Sequence, residues 1–130
     1  MWQIFLLKAQ SNLLAAERDQ SQRAFDPRVS RAYFAAFQAA IAALLARSDF
    51  RRRGQYWDHG EIAAECTRQL IRQRKIFPAE MASTLDDLKT RRHQADSSTV
   101  SPSEKIAQRA LDKARRLVER IEEALEPTGG

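Results

Sequence analysis

Thr90 to Ser98 reads TRRHQADSS and brings Arg91, Arg92, His93 and Asp96 within six positions. Guanidinium groups hold phosphate oxygens in a bidentate way. Histidine, with a pKa of about 6.5, moves protons near neutral pH. The grouping therefore fits the cutting of a phosphodiester, the binding of one, or a solvated helix end. Adjacent helical residues point about 100° apart, so Arg92 and His93 do not converge on one phosphate within a single helix. His93 is more simply a partly exposed residue near a helix C-terminus, interacting with its dipole. Asp96, one turn beyond Arg92, pairs with it, which lowers the carboxylate pKa and moves it away from acid catalysis.

The second histidine, His59, follows Arg53 after five residues and Arg52 after six. In a chain with 22 Lys plus Arg and two His, such a spacing arises by chance. His59 is expected to organise a helix start, with Trp57 as a local apolar anchor. Arg31 and Tyr33 lie in a strongly apolar segment. A buried arginine needs a partner, so Arg31 is read as a core or dimer-interface ion pair, with Glu65 or Asp96 as its partner, or as a second phosphate ligand beside Arg92. One Cys and two distant His give no zinc spacing, no glycine-rich phosphate loop is present, and no Ser-His-Asp set is indicated. Neither a metal nor a cofactor is implied. Cys66 has no intrachain partner, which suits a reducing cytoplasm.

Helices must position these groups. Four Gly and four Pro in 130 residues, with abundant Ala, Leu, Arg and Glu, favour helix and fit one domain. Five helices and no strand are expected, over residues 1–126, with 127–130 as a flexible tail. The first spans about Trp2 to Ala24, carrying Phe5, Ala9, Leu13 and Ala16 on one stripe, and stops before Asp26-Pro27 because the residue preceding proline avoids helical geometry. The second, Arg28 to Arg47, adds alanines around a stripe of Val29, Tyr33, Phe37, Ile41 and Leu44, so it belongs at the centre of a bundle. A loop follows to Trp57. Asp58 caps a third helix in a capping-box-like pattern with Glu61. This helix turns Ile62, Cys66 and Leu70 inward, Arg68, Arg72 and Lys75 outward, and breaks at Lys75 to Pro78.

Pro78 is expected to open the fourth helix, which carries Met81, Leu85 and Leu88 inward and ends between Arg92 and Ala95. Ser101 caps the fifth, with Pro102 first and Glu104 third, and that helix runs to Pro127. Short loops give an all-α, up-and-down bundle of four main helices and one shorter one.

The formal charge of +5 favours polyanionic partners, although each basic cluster also reads as a solvated face. The start, MWQIFLLK, lacks the basic and small-residue flanks of a signal peptide. No stretch approaches the roughly 20 apolar residues of a membrane span. A cytoplasmic protein without membrane contact is expected.

VSRAYFAAFQAA, Val29 to Ala40, resembles the second helix of HEPN-domain proteins, typically S-R-A-Y-Y-A-A-F-H-A-A. Leu7 to Leu13 resembles the family's L-x-K-A-x-x-x-L opening. Asp58-His59 lies where many members carry a histidine, and LDDLKTRRHQAD, Leu85 to Asp96, resembles L-x-x-L-x-x-x-R-x-x-A-D of one prokaryotic subfamily. The resemblance covers about residues 5 to 122. It implies a five-helix bundle, commonly homodimeric, among proteins that are often metal-independent ribonucleases in toxin–antitoxin or antiviral defence systems. Many small members are encoded beside a minimal nucleotidyltransferase that restrains them.

The family's catalytic motif is an arginine followed, after four to six residues, by a histidine. Arg92 occupies the arginine position, but the corresponding later positions hold Ser97, Ser98 and Thr99. Aspartate, with a pKa of about 3.9, donates protons poorly at neutral pH. The resemblance thus implies a component that binds RNA, nucleotide or a protein partner through a degenerate motif involving Arg31, Tyr33, Arg91, Arg92 and Asp96. The alternatives are an active ribonuclease using His93 or His59, and a purely structural subunit of a larger complex.

Overall fold

The computed structural model describes residues 1–21, 25–51, 57–97 and 103–126, with 19–21, 25–26 and 95–97 described in backbone only. Among these residues there are five α-helices and no strand: α1 (Trp2–Ser21), α2 (Phe25–Arg47), α3 (His59–Glu65), α4 (Met81–Ser97) and α5 (Glu104–Leu125). A π-wound segment, Cys66–Gln73, continues α3. They form the expected all-α up-and-down bundle.

α2 is its centre, packed against α1, α4 and α5 and touching α3. Its alanines explain how one helix serves so many neighbours. Ala32, Ala35, Ala36, Ala39 and Ala42 are fully enclosed, and their small side chains let the flanking helices approach closely. The inward stripes of the other helices are buried as their spacing predicts: Ala9 and Leu13 on α1, Leu85 and Leu88 on α4, and Ala110, Leu117 and Ile121 on α5. Polar bonds join neighbours at their margins. Asn12 donates to Gln38 between α1 and α2 at 2.7 Å, and Arg115 of α5 pairs with Glu17 of α1 at 3.3 Å.

The helix boundaries depart from the sequence expectations in four places. α2 begins at Phe25 rather than Arg28, with Pro27 inside its first turn. The N–H groups of a first turn have no intrahelical acceptor, so proline's missing N–H costs nothing there. α4 begins at Met81 rather than Pro78, preceded by tight turns in which Met81 N–H donates to Pro78 O and Ala82 N–H to Ala79 O. It also runs on to Ser97, so Asp96 is helical and not the start of a loop. α5 is capped by Ser103, whose hydroxyl accepts from Ile106 N–H at 3.2 Å, and not by Ser101. Two serines two positions apart offer the same cap, and the later one takes it. Ser101, Pro102 and the 127–130 tail lie outside the described residues.

Asp58 caps α3 as expected, accepting from Glu61 N–H at 2.8 Å. The regular winding then widens at Cys66, where a uniform helix was expected. Arg74 N–H reaches back five residues to Gln69 O at 3.0 Å, and Ile76 and Phe77 N–H both reach Leu70 O. Lys75 takes a left-handed conformation, φ 52°, of the kind that closes helix C-termini. This ending turns Phe77 into the core.

The expectation that no segment has the character of a membrane span is also corrected. Pro27–Arg47 is long and apolar enough by length and composition, with mean hydropathy 1.5. Its alanines, scattered among larger residues, add up to that value. Of this stretch 61% is buried inside the bundle, the setting of a core helix.

Candidate functional site

Tyr33 stands on the buried face of α2, four residues before Phe37, so the two rings stack at 5.7 Å between centroids and 13° between planes. The Asp58 cap fixes the start of α3 and delivers its first residue, His59, onto this aromatic pair. The imidazole lies 5.7 Å from the Tyr33 ring and 5.9 Å from Phe37, nearly parallel to both. Trp57, just before the cap, anchors the approach by an edge contact with Phe5 at 5.1 Å.

Both ring nitrogens of His59 are engaged. Nδ1 lies 2.9 Å from the Tyr33 hydroxyl and Nε2 lies 3.1 Å from Asp86 Oδ1 on α4. An ionised carboxylate only accepts, so Nε2–H donates to Asp86. In the neutral ring Nδ1 then accepts from the Tyr33 hydroxyl; in the imidazolium, Nδ1–H donates to the Tyr33 oxygen instead. The His59 side chain is 11% exposed and Asp86 70% exposed, so the chain of bonds runs from water into the bundle.

Arg92 reaches Tyr33 from α4. Its guanidinium carbon is 5.3 Å from the Tyr33 ring centre and 4.6 Å from that of Phe34. Each contact has cation–π geometry, and partial burial strengthens it. Phe34 is 36% exposed, placing this guanidinium at the bundle's margin. The Tyr33 hydroxyl pKa is raised chiefly by burial and further by Asp58, while Arg92 opposes the shift.

The structure thus gathers three of the sequence candidates, Tyr33, His59 and Arg92, around one ring. His93 and Arg91 are both exposed, and Arg91 donates to Gln94 Oε1 at 3.1 Å. Asp96 follows one turn beyond Arg92, and its side chain lies outside the described residues, as do Arg52 and Arg53. Arg31 is exposed, which corrects its placement in the core and leaves the expected dimer-interface pairing untouched. The enclosed arginine of α2 is Arg28, three residues earlier. The reason is geometric: residues three apart lie on one helix face only roughly, and Arg31 falls on the outer side of that arc.

Asp86 is the member that sequence reasoning missed. It precedes another aspartate on a polar helix surface, and no local pattern singles it out. Among the described residues, no three His, Cys, Asp or Glu side chains form a metal-holding group.

Cys66 provides a check on this packing. Burial, assisted by Glu65, pushes its thiol up to about 12, and Sγ points to Ala40 O at 4.0 Å. Thiolate is the reactive form, so iodoacetamide at pH 8 should label native protein far more slowly than urea-unfolded protein. Equal rates would contradict the raised pKa of this thiol. The linkage has a definite sign. A raised folded-state pKa favours the folded protein below the thiol's ordinary value of 9.0, and this contribution falls away as pH climbs from there to about 12.

No curated protein matches the chain. The family model described as HEPN domain, by contrast, matches residues 2–124, from the first residue of α1 to the last turn of α5, and the chain belongs to the HEPN domain family.

Proposed function

We propose that this HEPN protein serves in a prokaryotic toxin–antitoxin or antiviral defence system as a binding component that holds RNA, or another phosphate-bearing partner, at Arg92 without cutting it. One observation carries the reading: His59, which meets the same Tyr33 ring as Arg92, has both nitrogens committed to Tyr33 and Asp86. A general base must reach the proton it removes within hydrogen-bond distance. The nitrogen of His59 that can accept a proton faces Tyr33, itself 4% exposed, so no free lone pair faces a 2′-hydroxyl. The arrangement braces α2, α3 and α4 against each other and holds the ring on which Arg92 rests.

The protein is further proposed to act in the cytoplasm as a homodimer. Support comes from Ile4, Leu7 and Leu14, which leave an exposed apolar row along α1 that a second copy would cover. A minimal nucleotidyltransferase or another defence-system protein is the proposed partner class.

A second reading has its own observation. Asp86, His59 and Tyr33 stand in the order carboxylate, imidazole, hydroxyl, the order by which an oriented histidine activates a hydroxyl in hydrolases. In that case the protein would be a metal-independent ribonuclease with Tyr33 and His59 as its proton-transfer groups. Incubating purified protein with RNA in EDTA separates the two. The binding reading expects intact RNA at all times. Cleavage that disappears in both His59→Ala and Tyr33→Phe would overturn it in favour of the ribonuclease.

A further inference from the structure

A groove of about 600 Å³ runs between α4 and α5 and shares no residue with the Tyr33, His59, Asp86 and Arg92 cluster. Its floor is apolar, with half-buried Met81 and, beneath it, Leu117. Its two walls differ in charge: Glu80 and Asp87 stand on the α4 side, and exposed Arg116 and Arg120 on the α5 side. At one end Lys113 donates to Asp87 at 3.0 Å and bridges the walls. Beyond that bridge a smaller recess of about 110 Å³ continues the line, with Arg109 on its α5 wall.

The basic wall is a consequence of helical spacing. Positions 109, 113, 116 and 120 recur at intervals of four, three and four, so they share one edge of α5 over about 17 Å, or three turns. An extended nucleic acid strand fits this groove poorly. Its phosphates would meet Glu80 and Asp87 on the facing wall, and no aromatic ring lines the groove to stack a base. An apolar floor has no use for a phosphate either. A third helix fits better, because two packed helices leave a groove that accepts apolar side chains, and carboxylates at i and i+4 would match the i and i+4 arginines.

We infer that the α4–α5 groove docks an amphipathic helix of a partner protein, with its apolar stripe on Met81 and Leu117 and a row of glutamates against Arg116 and Arg120. This surface is independent of the proposed role of Arg92, and either can fail without the other. Charge complementarity sets the selectivity, since like charges placed across a close contact are strongly disfavoured.

The test uses the full-length protein and a labelled synthetic helix of about 18 residues, five turns, with leucines along one stripe, glutamates on one flank and glutamines elsewhere. A second peptide carries lysines in place of the glutamates, and oligouridine is run in parallel. The glutamate peptide is expected to bind at micromolar concentration and the lysine peptide at least tenfold more weakly. Arg116→Glu/Arg120→Glu should reverse that order, and Arg116→Ala/Arg120→Ala should remove the preference, so the result stands on two variants should one fold badly. The inference is overturned if no peptide binds up to about 1 mM. It is equally overturned if the preference survives in both variants, or if oligouridine, and not the glutamate peptide, loses binding in them.

Discussion

Arg92→Ala should weaken binding of a short single-stranded RNA by about 10- to 100-fold, measured by fluorescence anisotropy at fixed salt. The magnitude follows from the loss of charge-assisted hydrogen bonds worth about 1.5–3 kcal/mol, at 1.4 kcal/mol per factor of ten. A guanidinium already laid on the rings of Tyr33 and Phe34 loses little freedom when phosphate arrives, so most of that energy is available to binding. Salt dependence adds a second reading of the same variant. Each phosphate contact on a single strand contributes about 0.7 to the slope of log affinity against log salt, and the variant should lose one such contribution. Arg92→Lys should keep the slope and lose part of the affinity, because an ammonium carries the charge but neither the fork nor the flat stacking face. Arg91→Ala, on the exposed neighbour, should change affinity by less than threefold. If Arg92→Ala binds as well as the parent at every salt concentration, the site is not where RNA is held.

The same variant bears on how far the sequence could be read. The alanine-rich helix and the inward stripes of α1, α4 and α5 were legible because helical periodicity is local and repeats over many residues. Arg92 and Tyr33 were legible through the family resemblance. Their meeting was not, since it depends on how α4 crosses α2. His59 shows the limit most clearly. Its spacing from Arg52 and Arg53 suggested a chance match, whereas its contacts are with Tyr33, 26 residues away, and Asp86, 27 residues away. Asp86 could not be chosen from the sequence because its role comes from a histidine on another helix. Which arginine of α2 is enclosed was not legible for a related reason, with Arg28 and Arg31 three residues apart. Both lie in an apolar segment, and only the packing of neighbours decides which guanidinium is enclosed. The early start of α2 reflects a competing rule, because proline interrupts a helix interior yet is harmless in a first turn.

Leu88→Ala should lower stability by about 2–5 kcal/mol, the range for removing a buried leucine and leaving part of the cavity unfilled. Leu88 is fully enclosed on α4, two residues after Asp86 and four before Arg92, and it anchors the helix that carries both. At about 4 °C per kcal/mol for a domain of this size, the melting temperature should fall by about 8–20 °C, followed by circular dichroism. Glu119→Ala, on the exposed outer face of α5, should change stability by less than about 0.5 kcal/mol. The two α4 variants should then separate folding from recognition. Leu88→Ala, assayed well below its melting temperature, should bind RNA nearly as well as the parent, because the folded fraction still presents Arg92 on Tyr33 and Phe34. Arg92→Ala, whose ring contacts are worth about 0.5–1 kcal/mol each, should melt within a few degrees of the parent and yet bind poorly. If Leu88→Ala instead loses binding while fully folded, the position of α4, and not the guanidinium alone, governs the site, and the brace formed by Asp86, His59 and Tyr33 would carry more of the recognition than Arg92 does.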